Sequence, residues 1–367
     1  MKNVNKAKVV FTSAKSLAWF IVSTFLIILL IVLTVLEYGM LGPILGTVLG
    51  GAKPIYGENN LNIYKSEYAT KEASTQAGNE LNVEIAEEGF VLLLNEETDG
   101  KTALPIETSN SKKAKVSVFG HNSVDIVLGG SGSGGISGVE ATTIYDSLKN
   151  NNFEYNPELK AFYESSAAGS KRTSTVLTDA TSSSPTLDIG ETPVANYTSK
   201  VKSSFKDYND AAIVVISRVG GESFDVPRTQ SSRGGIEGNH YLQLDQNEYD
   251  MLDMVTARFD KVIVLLNTLQ AFQCDFIAEY NNTPDDPRID AVMWIGGPGA
   301  TGAEAVGELL SGQVNPSGKT VDIYPADFTK DPVWINFGDN SQSSADGKSN
   351  TAYAEGGKDV SGYNMVM

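Results

Sequence analysis

From residue 90 onward, short apolar and β-branched runs recur, at 90–94, 116–119, 212–216, 262–266 and 291–295. Several are apolar at every position rather than at alternate ones, the pattern of strands buried on both faces. Helical segments fall between or beside them. Residues 81–88 predict one helix, 245–257 a second with Tyr249, Leu252 and Val255 near helical spacing, and 301–310 a third. Strands alternating with helices predict an α/β domain with a mostly parallel sheet sandwiched by helices. The Ser/Thr-rich stretch 169–192 has no periodicity and reads as a surface insertion. Asn315-Pro316-Ser317-Gly318 reads as a turn leading into a final strand.

A different pattern precedes the domain. Residues 17–36 form an uncharged apolar run of 20 with no polar face. As a helix this run spans ~30 Å, the thickness of a bilayer's hydrocarbon core. A cleaved signal peptide would have an apolar core of only ~7–15 residues and a small-residue cleavage site. The LEYGML that follows is a poor site, so an uncleaved anchor is the expectation. Lys2, Lys6, Lys8 and Lys15 precede the run and Glu37 follows it. The positive-inside rule then places the N-terminus in the cytoplasm and the rest outside the cell membrane, as a single-pass protein. The expected organisation is a basic cytoplasmic segment (1–16), a transmembrane helix in the lipid bilayer (17–36), a stalk (37–80), the α/β domain (81–337) and a truncated or disordered tail (338–367).

Composition narrows the chemistry. The chain carries 28 basic and 45 acidic side chains, a net charge of −17. Such a surface repels polyphosphate, which argues against nucleic acid as a partner. One cysteine, Cys274, and two histidines, His121 and His240, argue against a thiolate or histidine metal centre. Catalysis here is left to carboxylates, hydroxyls and backbone, with no metal and no organic cofactor expected.

Three segments lie at or beyond the C-terminal ends of expected strands, where open α/β sheets bind ligands. The first is the glycine loop 129–135, GGSGSGG. It contains the spacing of a dinucleotide fingerprint at Gly130, Gly132 and Gly135. That fingerprint must follow a strand directly and open a helix, and here the strand ends ten residues earlier. The loop reads better as one whose missing side chains let a ligand approach the backbone. The second segment, 217–225 (SRVGGESFD), follows a strand and carries Glu222 behind two glycines. Asp225 would raise the pKa of Glu222 and Arg218 would lower it; general acid catalysis at neutral pH needs the raised outcome. A solvated acidic loop is the alternative. The third, 294–301 (WIGGPGAT) followed by 307–321, reads as architecture.

Taken together, these segments resemble the C-terminal domain of glycoside hydrolase family 3, the β-glucosidase family. The resemblance lies in IAEEGFVLLLNEE…ALPI (85–106), KVSVFG (115–120), GGSGSGG, AAIVVISRVGGESFD (211–225), KVIVLLN (261–267) and AVMWIGGPGATGAEAVGELLSGQVNPSGKT (291–320). It implies an α/β sandwich that lends loops to a sugar site, with Glu222 as general acid/base. Arg218, Asp225, Gly130, Ser131, Gly132, Ser133 and Gly134 map onto segments near the pocket rim and are the implied substrate contacts. In permuted-order relatives a (β/α)8 barrel follows this domain and supplies the aspartate nucleophile. A barrel takes ~200–250 residues, more than the sequence after 337 holds, so the nucleophile is expected on a separate barrel chain and the reading frame is expected to be truncated or split. The resemblance thus implies the membrane-anchored portion of a retaining β-glycosidase acting on a β-linked oligosaccharide or glycoside, incomplete by itself. A non-catalytic carbohydrate-binding module and a nucleotide-binding α/β domain are the competing readings.

Overall fold

The structure, a computed structural model, describes residues 14–36, 67–98, 100–130, 132–136, 138–173, 187–221, 226–227, 229–230, 233–283 and 288–331. It divides into two units, residues 1–67 and 68–367. In the first, α1 (Ala14–Leu36) is a single apolar helix, long enough to cross a membrane. Two of its hydroxyls bond within the helix, Ser23 Oγ donating to Trp19 O and Thr34 Oγ1 to Leu30 O. Helix-internal bonding of this kind is what a hydrocarbon medium demands of any polar group.

The second unit is the expected α/β fold. A helix α2 (Lys71–Gly89) leads into β1 (Val91–Asn95), and a small hairpin of β2 (Glu97–Thr98) and β3 (Lys101–Thr102) follows. The sheet continues with β4 (Ala114–Phe119), β5 (Phe153–Tyr155), β6 (Ala211–Arg218), β7 (Val262–Thr268) and β8 (Ala291–Trp294). Its order is β1-β8-β7-β6-β4-β5. All neighbours from β5 to β8 run parallel, and β1 closes one edge antiparallel to β8. The parallel strands thus follow the doubly wound order 2-1-3-4-5, whose ligand crevice lies outside the carboxyl ends.

Alternation along β6 and β7 divides the core into two layers. Ala212, Val214 and Ile216 with Val262, Val264 and Leu266 face α4 (Pro157–Glu164), α5 (Ser199–Ser204), α6 (Gln246–Thr256) and α7 (Asp275–Tyr280). Ile213, Val215, Ile263 and Leu265 face the other way, onto α2, α3 (Ile144–Asn150) and α8 (Glu304–Ser311). Every residue of β6 and β7 is buried, which is why these runs carry no polar alternation.

Three local expectations are corrected. The first helix of the unit begins at Lys71, ten residues before the apolar positions begin, because Thr70 caps it by accepting from Ala73 N; an N-cap starts a helix without an apolar stripe. Among the described residues no strand follows Pro316: residues 315–324 form none, and Val321 and Ile323 are 98% and 80% exposed. The stretch 169–192 is not wholly a surface insertion. Leu187 and Ile189 are buried in a small third core with Val127, Val219, Tyr241 and Leu242, and Arg172 donates to Asp125 O and Ile126 O. Residues 174–186 and the tail 338–367 lie outside the described residues.

Helices α3 and α8 cross at a glycine. A Cβ at Gly307 would stand 2.6 Å from Ser147 O and 2.8 Å from Asn151 Nδ2. Ser147 Oγ accepts from Gly307 N (2.8 Å) and donates to Glu304 O. Gly307→Ala should therefore lower stability by about 1–3 kcal/mol despite its better helix propensity, measurable by urea unfolding; an unchanged or raised midpoint would contradict this packing.

Candidate functional site

The loops at the carboxyl ends of β4, β6, β7 and β8 meet through glycines. A Cβ placed on Gly130 would stand 3.6 Å from Gly220 O, 3.8 Å from Leu269 Cδ1 and 4.0 Å from Gly221 Cα. On Gly220 it would overlap the Gln270 carboxamide. On Gly297 it would come within 2.6 Å of Leu269 Cδ2 and 3.1 Å of Leu128 O. Gly299 N donates to Leu128 O at 2.8 Å. The glycine loop after β4 therefore runs across the ends of the later strands, against the turn after β6 and the Gly-Pro-Gly turn after β8. The sequence assigned that last turn to architecture; it forms part of the same mouth. Residues 132–134 make a short 3₁₀ turn, and the next helix, α3, opens only at Ile144, so no helix N-terminus stands on the glycines.

Asn267 roots this meeting. It lies fully buried near the end of β7. Its Oδ1 accepts from Val127 N (2.6 Å) and Ser217 Oγ (2.9 Å), and its Nδ2 donates to Val127 O (2.8 Å) and Gly296 O (2.6 Å). Both donors and both acceptor sites of the amide are used: two bind the main-chain N–H and C=O of Val127, and the others reach Ser217 and Gly296. The register of three loops is thus read by one side chain.

Arg218, the last residue of β6, points inward. Its Nε donates to Tyr241 O, its Nη1 to Ser217 O and Glu248 Oε1, and its Nη2 to Gln243 O and Glu248 Oε2. Both partners of this fork are shielded from solvent, at 0% and 1% side-chain exposure. The guanidinium also lies 4.9 Å from the Phe272 ring and 5.4 Å from that of Tyr241. A guanidinium has five N–H donors, and all are spent within the protein. The expectation that Arg218 contacts a ligand is therefore corrected: its geometry is that of an internal brace.

Two further carboxyl groups share this interior. Asp245 caps α6 in a reciprocal box with Glu248: Glu248 N donates to Asp245 Oδ1 and Asp245 N to Glu248 Oε2. Burial, then the neighbouring Glu248 charge, push the Asp245 carboxyl up to about 8, and its Oδ2 is buried without a hydrogen-bond partner. Glu191 accepts from His121 N and Thr192 N. Burial holds it well above the carboxylate range, against the pull of the Thr192 N–H.

Of the other residues singled out from sequence, Gly130 lies against the turn after β6 and Leu269, and Gly132–Gly134 form a short turn within their own loop. Glu222, Asp225 and Ser131, and the Ser133 side chain, lie outside the described residues. Among the described residues no group of three His, Cys, Asp or Glu side chains is placed to hold a metal. Sequence reasoning passed over Asn267, Asp245, Glu248 and Glu191. The D-x-x-E spacing of 245–248 is a legible capping box, and Asn267 is a polar residue ending an apolar run, a signal for a strand-end role.

Two measurements follow from these contacts. Asn267→Asp keeps the shape but withdraws both donors and faces carbonyls with carboxylate oxygen, so it should cost about 2–5 kcal/mol in urea unfolding. Asp245 and Glu191 hold protons in the folded state that the unfolded chain releases near pH 4. The folded state then binds more protons between about pH 4 and about 8, and stability falls as pH rises through that window. The melting temperature should drop by ~5 °C or more from pH 5 to pH 8, and Asp245→Asn should flatten the slope; a wild-type profile that rises over this range would refute the assignment.

Comparison with known proteins gives this arrangement its context. Residues 90–358 match the Glycosyl hydrolase family 3 C-terminal domain. The β-glucosidase of Ruminococcus albus is 30% identical over 263 residues, which cover 69% of this chain and 24% of that protein. Beta-glucosidase A of Butyrivibrio fibrisolvens is 27% identical over 283 residues, 72% of this chain and 31% of its own. Among solved structures, a β-glucosidase from Paenibacillus barengoltzii superposes with a TM-score of 0.55 at 30% identity, over 71% of this chain and 26% of that one. The chain thus spans 24–31% of the length of these relatives. It belongs to glycosyl hydrolase family 3, and its α/β unit is that family's C-terminal domain.

Proposed function

We propose that this chain is the membrane-anchored portion of a retaining β-glycosidase, with Glu222 as general acid/base and the nucleophile on a separate (β/α)8 barrel. The observation that carries the reading is the junction of Gly130 with Gly220 and Gly221. In sequence Glu222 follows that junction at once, and backbone without side chains is what lets a ligand approach closely. The β-glucosidase relatives supply the substrate class, a β-linked glucoside or related oligosaccharide. Asp225 and the 130–134 loop form the rim against the sugar.

In the reaction the barrel carboxylate attacks the anomeric carbon while Glu222 gives its proton to the departing glycosidic oxygen. The same carboxylate then takes a proton from water as water displaces the glycosyl-enzyme bond. A retaining pair stands ~5–5.5 Å apart, so the two polypeptide parts must dock closely. The helix α1 anchors the assembly in the bilayer, with the lysine-rich N-terminus inside and the domain outside.

The purified full chain should not hydrolyse an aryl β-glucoside. Addition of a (β/α)8 barrel chain from a permuted-order β-glucosidase should restore turnover, and Glu222→Gln should abolish it on substrates with poor leaving groups by about 100-fold or more. Glu222-dependent turnover by the chain alone would overturn the division of labour. Glycan binding unaffected by Glu222→Gln, with no turnover under complementation, would instead indicate a non-catalytic binding module.

A further inference from the structure

Arg218 stands three residues before Gly221 and four before Glu222, yet none of its donors is available to a ligand. Its contacts fall into two sets. The fork onto Glu248 fixes the guanidinium plane to helix α6, a bidentate geometry that a lysine cannot reproduce. The remaining donors reach main-chain carbonyls of Ser217, Tyr241 and Gln243. Tyr241 and Gln243 lie on the limb that returns from the 219–245 excursion to α6. Arg218 therefore senses where that limb's backbone lies, whatever side chains it carries.

Neighbouring bonds tie the outgoing limb to the returning one. Val219 N donates to Tyr241 Oη (3.0 Å), and Tyr241 N donates to Pro227 O (3.2 Å). The Gln230 carboxamide donates to His240 O, Gln243 O and Leu244 O and accepts from Ile236 N. The segments on either side of 222–225 are thus both referred to the return limb, and that limb is referred to Arg218. A buried ion pair is a poor source of stability, since well-packed apolar residues of similar volume commonly do as well or better. What an apolar pair cannot supply is this set of directional bonds to carbonyls on two chain segments.

We propose that Arg218 is a positioning residue, which with Glu248 sets where the chain leaves Gly221 and re-enters at Val226, and so aims the acid/base without touching the sugar. The proposal rests on the reading of Glu222 given above. Its test exploits the chemistry of leaving groups. Protonation of the departing oxygen matters for a sugar alcohol and hardly at all for dinitrophenolate, so a misaimed acid slows the glycosylation step of one substrate selectively, whereas general loosening of the fold slows that step for both.

The full chain, complemented with the barrel, is assayed on cellobiose and on 2,4-dinitrophenyl β-glucoside. Arg218→Ala alone would strand Glu248 in the interior, so the paired variant R218M/E248L is used, with circular dichroism and the melting temperature verifying the fold, and Arg218→Lys beside it. Both should lose about 10- to 100-fold in kcat/KM, which reports the glycosylation step, on cellobiose, and less than about threefold in kcat/KM on the dinitrophenyl substrate. In R218M/E248L, trypsin should also cut after Arg233, exposed on the excursion, about tenfold faster than in the wild type. Equal losses on the two substrates, or none, overturn the proposal. If Glu222→Ala shows the leaving-group selectivity and R218M/E248L does not, the proposal fails and the function stands; if Glu222→Ala lacks it, or the complemented chain turns over neither substrate, both fail.

Discussion

A guanidinium enclosed at the end of the middle strand of a parallel sheet loses water on every side and must find its hydration shell in protein atoms. Arg218 finds it in one carboxylate and three carbonyls, and that requirement organises the strand ends. Satisfying Nε and Nη2 draws the 241–243 limb over the end of β6. Satisfying the fork draws the first turn of α6 to the same point, where Asp245 completes the capping box. Removing either partner of a buried pair typically costs ~3–5 kcal/mol, because the other charge is left in low dielectric. The surface pairs of the same domain, such as Lys200 with Glu158, carry no such constraint, since water screens them.

Asn267 does for the neutral part of the rim what Arg218 does for the charged part. Between them they hold one loop after each of β4, β6 and β8 to the body of the sheet. The glycines then have a clear physical purpose. With the roots of the loops pinned by buried polar side chains, the tips approach so closely that a Cβ at Gly297 would crowd the Leu128 carbonyl and the Gly129 backbone. The segment 187–192 belongs to the same scheme, since Leu187 and Ile189 wedge beneath Val127 and Val219 and Glu191 secures His121 N.

How much of this was legible in the sequence depends on what each residue's role rests upon. The strands at β4, β6, β7 and β8 were plain, because burial on both faces leaves an unbroken apolar run that few other structures need. The three-residue β5 was too short to show such a run. The first half of α2 carries no apolar stripe, and only a Thr N-cap announces it. Residues 320–323 look like a strand by propensity, yet pairing is a tertiary property that no local pattern contains. Arg218 ends β6, and an arginine on such a motif suggests a ligand contact; only the positions of Glu248 and of two distant carbonyls reveal which way it faces. Residues 222–225, where the proposed chemistry resides, rest on resemblance and on the described ends that flank them.

The antiparallel closure of the sheet by β1 against β8 has an implication for how this polypeptide comes into being. Its first strand, Val91–Asn95, finds its ladder partner among the described residues at Ala291–Trp294, about two hundred positions later along the chain. A ribosome delivers residues from the amino end, at ~5–20 per second, so a sticky, unpaired ribbon must wait tens of seconds for its mate. During that interval α2 and β1 are a natural handhold for chaperones, and that edge of the sheet is sealed only after β8 emerges.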